Sequence, residues 1–332
     1  MRILVTGAAG FIGSHLAKNL VLNNHDVVGV DSLNDYYSPS LKIARIESML
    51  RPYGVNIITG NISDVHFVKK IFEEYQPECV FHLAAQAGVR LPISKFSSYI
   101  ENNVIGFSNI LTSIIEDETP YLFYASSSSV YGNSTKVSFS ENEKFLQPTS
   151  FYGGTKLSNE ILIEAIKDKV TTSFIGLRFF TVYGKWGRPD MSYFRIVNSI
   201  LNDRPFTLYG DGSVQRDFTY IDDVIESVIR IMKVFLKSKG GSEIFNIGGG
   251  RPQSMRELID IANELSGKKL KIINVNRNIN DVAITSANYQ KLLKFTDYVP
   301  SIELKVGLER IFAWAKEGSV KRKLEEWVAS SN

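Results

Sequence analysis

Short apolar, β-prone runs alternate with helix-periodic stretches through the first half of the chain. Runs at 3–6, 27–30, 55–59, 80–83, 122–126 and 174–177 read as strands, and apolar spacing near 13–22, 41–51, 65–75, 97–116 and 152–168 reads as helices. Strands alternating with helices predict an α/β fold, a doubly wound parallel sheet. Near residue 180 the texture changes. Glycine and proline punctuate Tyr183 to Asp190, and short helices interleave with isolated strands. The expectation is a large domain over 1–180 and a smaller mixed α/β lobe over 181–332, with a later strand near 244–248 returning to the main sheet.

Composition narrows the class without naming a function. The chain has 332 residues, 44% apolar and 22% charged, as in ordinary globular proteins. A formal net charge of +3 gives no reason to expect a nucleic-acid or membrane partner. The single cysteine, Cys79, excludes a disulfide framework and lies in an apolar run, where a buried strand position is expected. With the first strand starting at Arg2 and no apolar run of membrane-spanning length, a cytoplasmic protein is expected.

The first strand runs directly into Gly7, Gly10 and Gly13, followed by a helix pattern that includes Phe11 and Ile12. Glycine at 7 permits a tight turn, at 10 a close approach of phosphate to backbone, and at 13 packing of helix on strand. The amides and positive dipole end of that helix would face a diphosphate, as in Rossmann-type dinucleotide sites. The second strand ends in Asp31, whose carboxylate suits both hydroxyls of an adenosine ribose and repels a 2′-phosphate, which favours NAD over NADP. A structural turn without ligand is the bland alternative. Ligands of such sheets bind beyond the carboxyl ends of the strands, and polar or small residues stand there. Asp64 follows the third strand, with Ile62 before it. Leu83, Ala84 and Ala85 follow the fourth, and Ser126 to Ser129 the fifth. The serine run could equally be a solvated turn.

Tyr152 and Lys156 share one helix face at i and i+4. An ammonium beside a phenol stabilises the phenolate and lowers a pKa otherwise near ~10, making Tyr152 a usable base. Taken alone, the pair could be a surface contact.

With the glycine turn, the serine-rich strand end and the Tyr152–Lys156 pair in this order, the chain resembles the extended short-chain dehydrogenase/reductase family, the nucleotide-sugar epimerases and dehydratases. The resemblance covers nearly the whole chain. It implies a diphosphate at Gly7, Gly10 and Gly13, ribose on Asp31, and Asp64 near adenine. Leu83, Ala84, Ala85 and Asn102 would complete the cofactor surface. Lys156 would bind the nicotinamide ribose and tune Tyr152, and Ser127 would be the hydroxyl partner of the tyrosine. A homodimer through the helices near 97–116 and 152–168 is also implied, although their apolar residues could all face the sheet.

The reaction follows from what is missing. Family dehydratases and decarboxylases resemble one another in placing carboxylates after the first serines of this strand end, where this chain has Ser128 and Ser129. Elimination and decarboxylation lose their acids, and reversible oxidation at one sugar carbon remains. The segment Trp186-Gly-Arg-Pro-Asp-Met191, the run Asn34 to Leu41 and the run Ala84 to Arg90 resemble the UDP-glucuronate 4-epimerases. That resemblance makes Arg90, Ser128, Thr181 and Arg188 candidates for holding a sugar carboxylate or its neighbours. Arg188 could instead serve a loop salt bridge. Arg216 and Arg277 are candidates for the UDP phosphates. The chain departs from the pattern at Lys185, at Gly153-Gly154 and at Asn280-Asp281. An epimerase of neutral UDP-hexoses and a non-catalytic NAD-binding sensor are the competing readings.

Overall fold

The computed structural model describes residues 1–89, 91–133, 138–237, 241–276 and 282–330. In the first half, β1 (Arg2–Thr6), α1 (Phe11–Leu22), β2 (Asp26–Asp31), α2 (Pro39–Arg45), β3 (Asn56–Thr59), α3 (Val65–Tyr75) and β4 (Cys79–His82) follow in turn. Then come α4 (Phe96–Tyr99), α5 (Gly106–Glu116), β5 (Tyr121–Ser127), α6 (Phe151–Ile166) and β6 (Ser173–Phe179). The second half contributes β7 (Thr181–Tyr183), α7 (Ser192–Leu201), β8 (Phe206–Tyr209), β9 (Gln215–Tyr220) and α8 (Ile221–Phe235). Strands β10 (Glu243–Ile247), β11 (Pro252–Ser254) and β12 (Ile272–Val275) complete the strand set used below.

The main sheet is parallel, in the order β10-β6-β5-β4-β1-β2-β3. Its strands are apolar almost throughout because helices cover both faces. Along β1, Ile3 and Val5 enter one core cluster and Leu4 the other, as a period of two requires. Strand order reverses between β1 and β4, which opens a crevice at their carboxyl ends. The doubly wound sheet expected from the hydrophobic pattern is therefore the observed one, and β10 joins it beside β6. After β6 the chain builds two small sheets, β11-β9-β7 and β12-β8.

The helical stretch expected over 97–116 is not one regular helix. It runs as α4, a π-helical segment Ile100–Ile105, and α5. Asn103 sits in the widened turn, fully buried, with its side chain bonded to both backbone groups of Gln86 after β4. Widened turns of this kind occur often at functional sites.

Candidate active site

The glycine turn is built for a close ligand. Gly7 has φ +71°, and a Cβ there would lie 2.8 Å from the Ala84 nitrogen. A Cβ on Gly13 would lie 2.1 Å from the Gly7 carbonyl, so α1 can meet the turn only through glycine. Gly10 precedes Phe11, the first residue of α1, in extended conformation; Phe11 is buried and Ile12 half-buried on that helix. Asp31 is buried; its Oδ2 accepts from the Ala9 amide at 3.0 Å and its Oδ1 from Leu33 at 2.9 Å. The carboxylate is thus held rigidly beside the turn with acceptor capacity left on each oxygen. Asp64 caps α3, its Oδ1 accepting from His66 and Phe67. Ile62 packs over Gly106, and Leu83, Ala84 and Ala85 lie half-buried in the crevice. Asn102 turns back to its own helix, donating to the Ser98 carbonyl at 2.8 Å.

Strand β5 delivers the serines and α6 the tyrosine. Ser127 pairs in register with Phe179 of β6, and its Oγ accepts from the Ser129 amide at 3.1 Å. Helix α6 is capped by Ser150, whose Oγ accepts from Gly153 at 3.0 Å. That cap sets the first turn of the helix and with it Tyr152, whose ionised phenol is favoured by the Ser127 hydroxyl. Burial raises the Tyr152 phenol above its usual range; the charge of Arg188 and the hydroxyl of Ser127 pull against it. Lys156 lies with its ammonium 6.0 Å from the Tyr152 ring centroid, is buried, and has no hydrogen-bond or ion-pair partner among the described residues. Burial lowers its pKa to about 8. The expectation of a lowered phenol is therefore not met, because burial raises it. The charge of Arg188 favours the ionised phenol against burial, and the Lys156 ammonium is itself disfavoured by desolvation.

Of the two readings of Arg188, the loop salt bridge is the one present in the structure. Its guanidinium grips Asp190, Nε to Oδ1 at 3.0 Å and Nη2 to Oδ2, and lies 5.9 Å from the Tyr36 ring centroid. Burial opposes ionisation of Asp190, but the charge and hydrogen bonds of Arg188 outweigh it and hold the carboxyl below its ordinary range. Ser128 lies in the turn after β5 and Thr181 at the start of β7, both half-buried. Arg216, on β9, donates through Nη1 to the carbonyls of Gln215 and Val282 at 2.8 Å. Arg90, Arg277, Asn280 and Asp281 lie outside the described residues.

Sequence reading missed the polar network beneath the site. Glu160 accepts from Arg178 Nη2 at 2.7 Å and from Ser126 Oγ, the neighbour of Ser127. Arg178 also donates to Tyr131 Oη at 2.8 Å, and Tyr131 donates to Asn246 at 2.7 Å. The signal was present: Tyr152, Lys156 and Glu160 recur every fourth residue along one helix face. Asn103, which also donates to Thr155 on α6 at 3.0 Å, was overlooked in favour of its neighbour Asn102.

A Gly-turn cradle at the switch point, with a Ser–Tyr–Lys set on the adjoining strand end and helix, defines a nucleotide-dependent redox site. The chain belongs to the NAD dependent epimerase/dehydratase family, whose pattern it matches over residues 3–248. It is 40% identical to UDP-glucuronate 4-epimerase 3 of Arabidopsis thaliana over 94% of this chain and 76% of that protein. Protein CapI of Staphylococcus aureus is 39% identical over 96% of this chain and 99% of its own length. The crystal structure of UDP-glucuronic acid 4-epimerase from Bacillus cereus with UDP-glucuronic acid and NAD superposes with a TM-score of 0.88 at 34% identity, covering 96% of this chain and 99% of that one.

Proposed function

We propose that this chain is an NAD-dependent isomerase that interconverts UDP-glucuronate and UDP-galacturonate at C4. The observation that carries the reading is the grouping of Ser127, Tyr152 and a buried Lys156 that has no hydrogen-bond or ion-pair partner among the described residues, with serines at 128 and 129 where acids would direct elimination or decarboxylation. The curated relatives and the Bacillus cereus complex support the substrate.

The residues fit NAD. The turn at Gly7, Gly10 and Gly13 admits a diphosphate where any Cβ would clash, and Asp31 has acceptors for ribose hydroxyls. Asp64, Ile62, Leu83, Ala84, Ala85 and Asn102 would line the adenine and ribose surfaces. Lys156, whose ammonium has no hydrogen-bond or ion-pair partner among the described residues, would take the nicotinamide ribose. Bound NAD supplies a reversible hydride acceptor at C4. Tyr152 takes the proton of the C4 hydroxyl as that carbon is oxidised, and Ser127 holds the hydroxyl and phenol in line. The keto sugar then presents its other face, and Tyr152 returns the proton. Ser128, Thr181, Arg188 and Arg90 hold the carboxylate end; Arg216 and Arg277 hold the UDP phosphates.

On this reading the cofactor rests on 1–180 together with β10, and the 181–332 lobe closes over the nucleotide sugar. The protein acts as a homodimer: Ile100, Ile105, Phe151, Ile161 and Leu162 are exposed apolar residues on α6 and the segment between α4 and α5, available to a second copy. No helix among the described residues is long and apolar enough to cross a membrane. We place the protein in the cytoplasm as part of the same proposal.

Incubation of the purified protein with UDP-glucuronate and no added NAD tests the proposal. Appearance of the anomeric proton signal of UDP-galacturonate by NMR is expected. Turnover of neutral UDP-hexoses alone would replace it with the neutral-sugar epimerase, and no turnover of either with a nucleotide-binding sensor.

A further inference from the structure

Arg45, at the end of α2, is fully buried and has no carboxylate partner among the described residues. Its guanidinium donates to four neutral oxygens on separate parts of the chain. Nη1 reaches the Ala9 carbonyl at 3.0 Å and Tyr37 Oη at 2.7 Å; Nε reaches the Trp186 carbonyl at 2.9 Å and Nη2 the Gly187 carbonyl at 2.9 Å. Ala9 belongs to the glycine turn and is the residue whose amide Asp31 holds. Trp186 and Gly187 are the two residues before Arg188. One planar cation therefore ties the cofactor turn to the segment that presents Arg188.

That segment needs tying. Trp186 has φ +60°, a left-handed conformation unfavourable to a bulky side chain. Gly187 is packed so closely that a Cβ would lie 1.7 Å from Tyr193 Oη. Backbone held in a sparsely populated region persists only where its surroundings over-determine it, and here two of its carbonyls are bound by Arg45. The planar fork of guanidinium can bridge these oxygens at once, whereas an ammonium cannot span them.

We infer that Arg45 is a positioning residue that couples occupancy of the cofactor turn to the placement of Arg188, and through it to recognition of the acidic sugar. The inference rests on the function proposed above. Coupling of this kind is reciprocal: cofactor strengthens acidic-sugar binding and the acidic sugar retards cofactor loss.

The test compares Arg45→Met and Arg45→Lys with the wild-type holoprotein. NAD retained through gel filtration is measured by extraction, and calorimetry gives Kd for UDP-glucuronate and for UDP, which lacks the sugar acid. Both variants should lose NAD, and their Kd for UDP-glucuronate should rise about tenfold while that for UDP stays within about twofold. A general structural defect would weaken both ligands alike, and that result overturns the coupling. So does full NAD retention, or an unchanged preference between the ligands. Should Arg45→Met fail to fold, the wild type stripped of NAD must show the same loss of preference for UDP-glucuronate; a retained preference overturns the inference. A wild type that neither turns over nor prefers UDP-glucuronate overturns the proposed function and the coupling together. Wild-type turnover with unaltered preference in the variants overturns the coupling alone.

Discussion

Arg188 acts on the phenol of Tyr152 from a loop in the second half of the chain, although Lys156 stands one turn from Tyr152 on the same helix. The loop cation is itself gripped by Asp190, so its position is fixed before any substrate arrives. Burial raises the phenol and Arg188 opposes that rise.

Removing the opposing charge should move the base. In Arg188→Met the phenol loses a stabiliser of its ionised form, so the pKa rises and deprotonation needs higher pH. The acid limb of the kcat profile should shift upward. A profile measured between about pH 6 and 10 that leaves this limb in place would restrict Arg188 to holding the loop.

Tyr152→Phe removes the proton acceptor while keeping the ring that packs 6.2 Å from Tyr99. Epimerisation should fall by about 10²–10⁴-fold or more. Retained NAD and an unchanged Kd for UDP would show that the site is intact. Substantial residual turnover would transfer the role of base to another group.

Lys156 makes a stability prediction of unusual sign. Its pKa is lowered by burial to about 8, below the value of an unfolded lysine, so the folded chain without cofactor carries a charge it would rather lose. The penalty is fully present below about pH 8 and disappears as pH rises through the unfolded value near ~10.4, where neither state holds the proton. Lys156→Met should therefore stabilise NAD-free protein at pH 7, by something on the order of 3 kcal/mol at most. The gain should shrink toward pH 10. Urea midpoints at both pH values decide it, and a destabilised variant at pH 7 would mean that the ammonium has a favourable partner.

Much of this site could be read from residue order. The glycine turn, Asp31, Ser127, Tyr152 and Lys156 fall at strand ends and on a helix face, where local periodicity fixes their placement. What could not be read was mostly long-range. Asp190 as the partner of Arg188 was near at hand in sequence, but the effect of Arg188 on Tyr152 depends on the path of a loop. Arg45, within the stretch expected to be helical over 41–51, is fully buried, and its acceptors at Ala9, Trp186 and Gly187 are backbone carbonyls that carry no residue-type signature. The π-helical break at 100–105 was hidden for a related reason: Asn103 bonds the backbone of Gln86, and neighbouring Asn102 looks the same in sequence.

Glu160 and Arg178 should set the stability of the same region. Their side chains are each 4% exposed and bonded at 2.7 Å, and Glu160 also accepts from Ser126. Glu160→Ala leaves a buried guanidinium without its carboxylate, which costs about 3–5 kcal/mol. A urea midpoint close to wild type would show that Tyr131 alone suffices for Arg178.

The absence of acids at 128 and 129 leaves a problem for the chemistry that the hydroxyls must solve. Oxidation of glucuronate at C4 creates a β-keto acid, in which the bond from C5 to the carboxylate can break, releasing CO₂ and leaving its electron pair on C5 conjugated with the new carbonyl. An epimerase has to hold the carboxylate where that bond does not align with the carbonyl π system. Ser128, in the turn after β5, and Thr181, at the head of β7, are half-buried hydroxyls on neighbouring strand ends, since β5 and β6 pair in register up to Ser127 and Phe179. The double variant Ser128→Ala, Thr181→Ala removes two hydrogen-bonding groups without adding volume or charge. It should release CO₂ from UDP-glucuronate in a measurable fraction of turnovers, with epimerisation slowed. The fraction is a ratio of products, so it does not depend on how much of the variant is folded. Product ratio and rate equal to the wild type would show that the carboxylate is held elsewhere, leaving Arg188 as the first residue to examine.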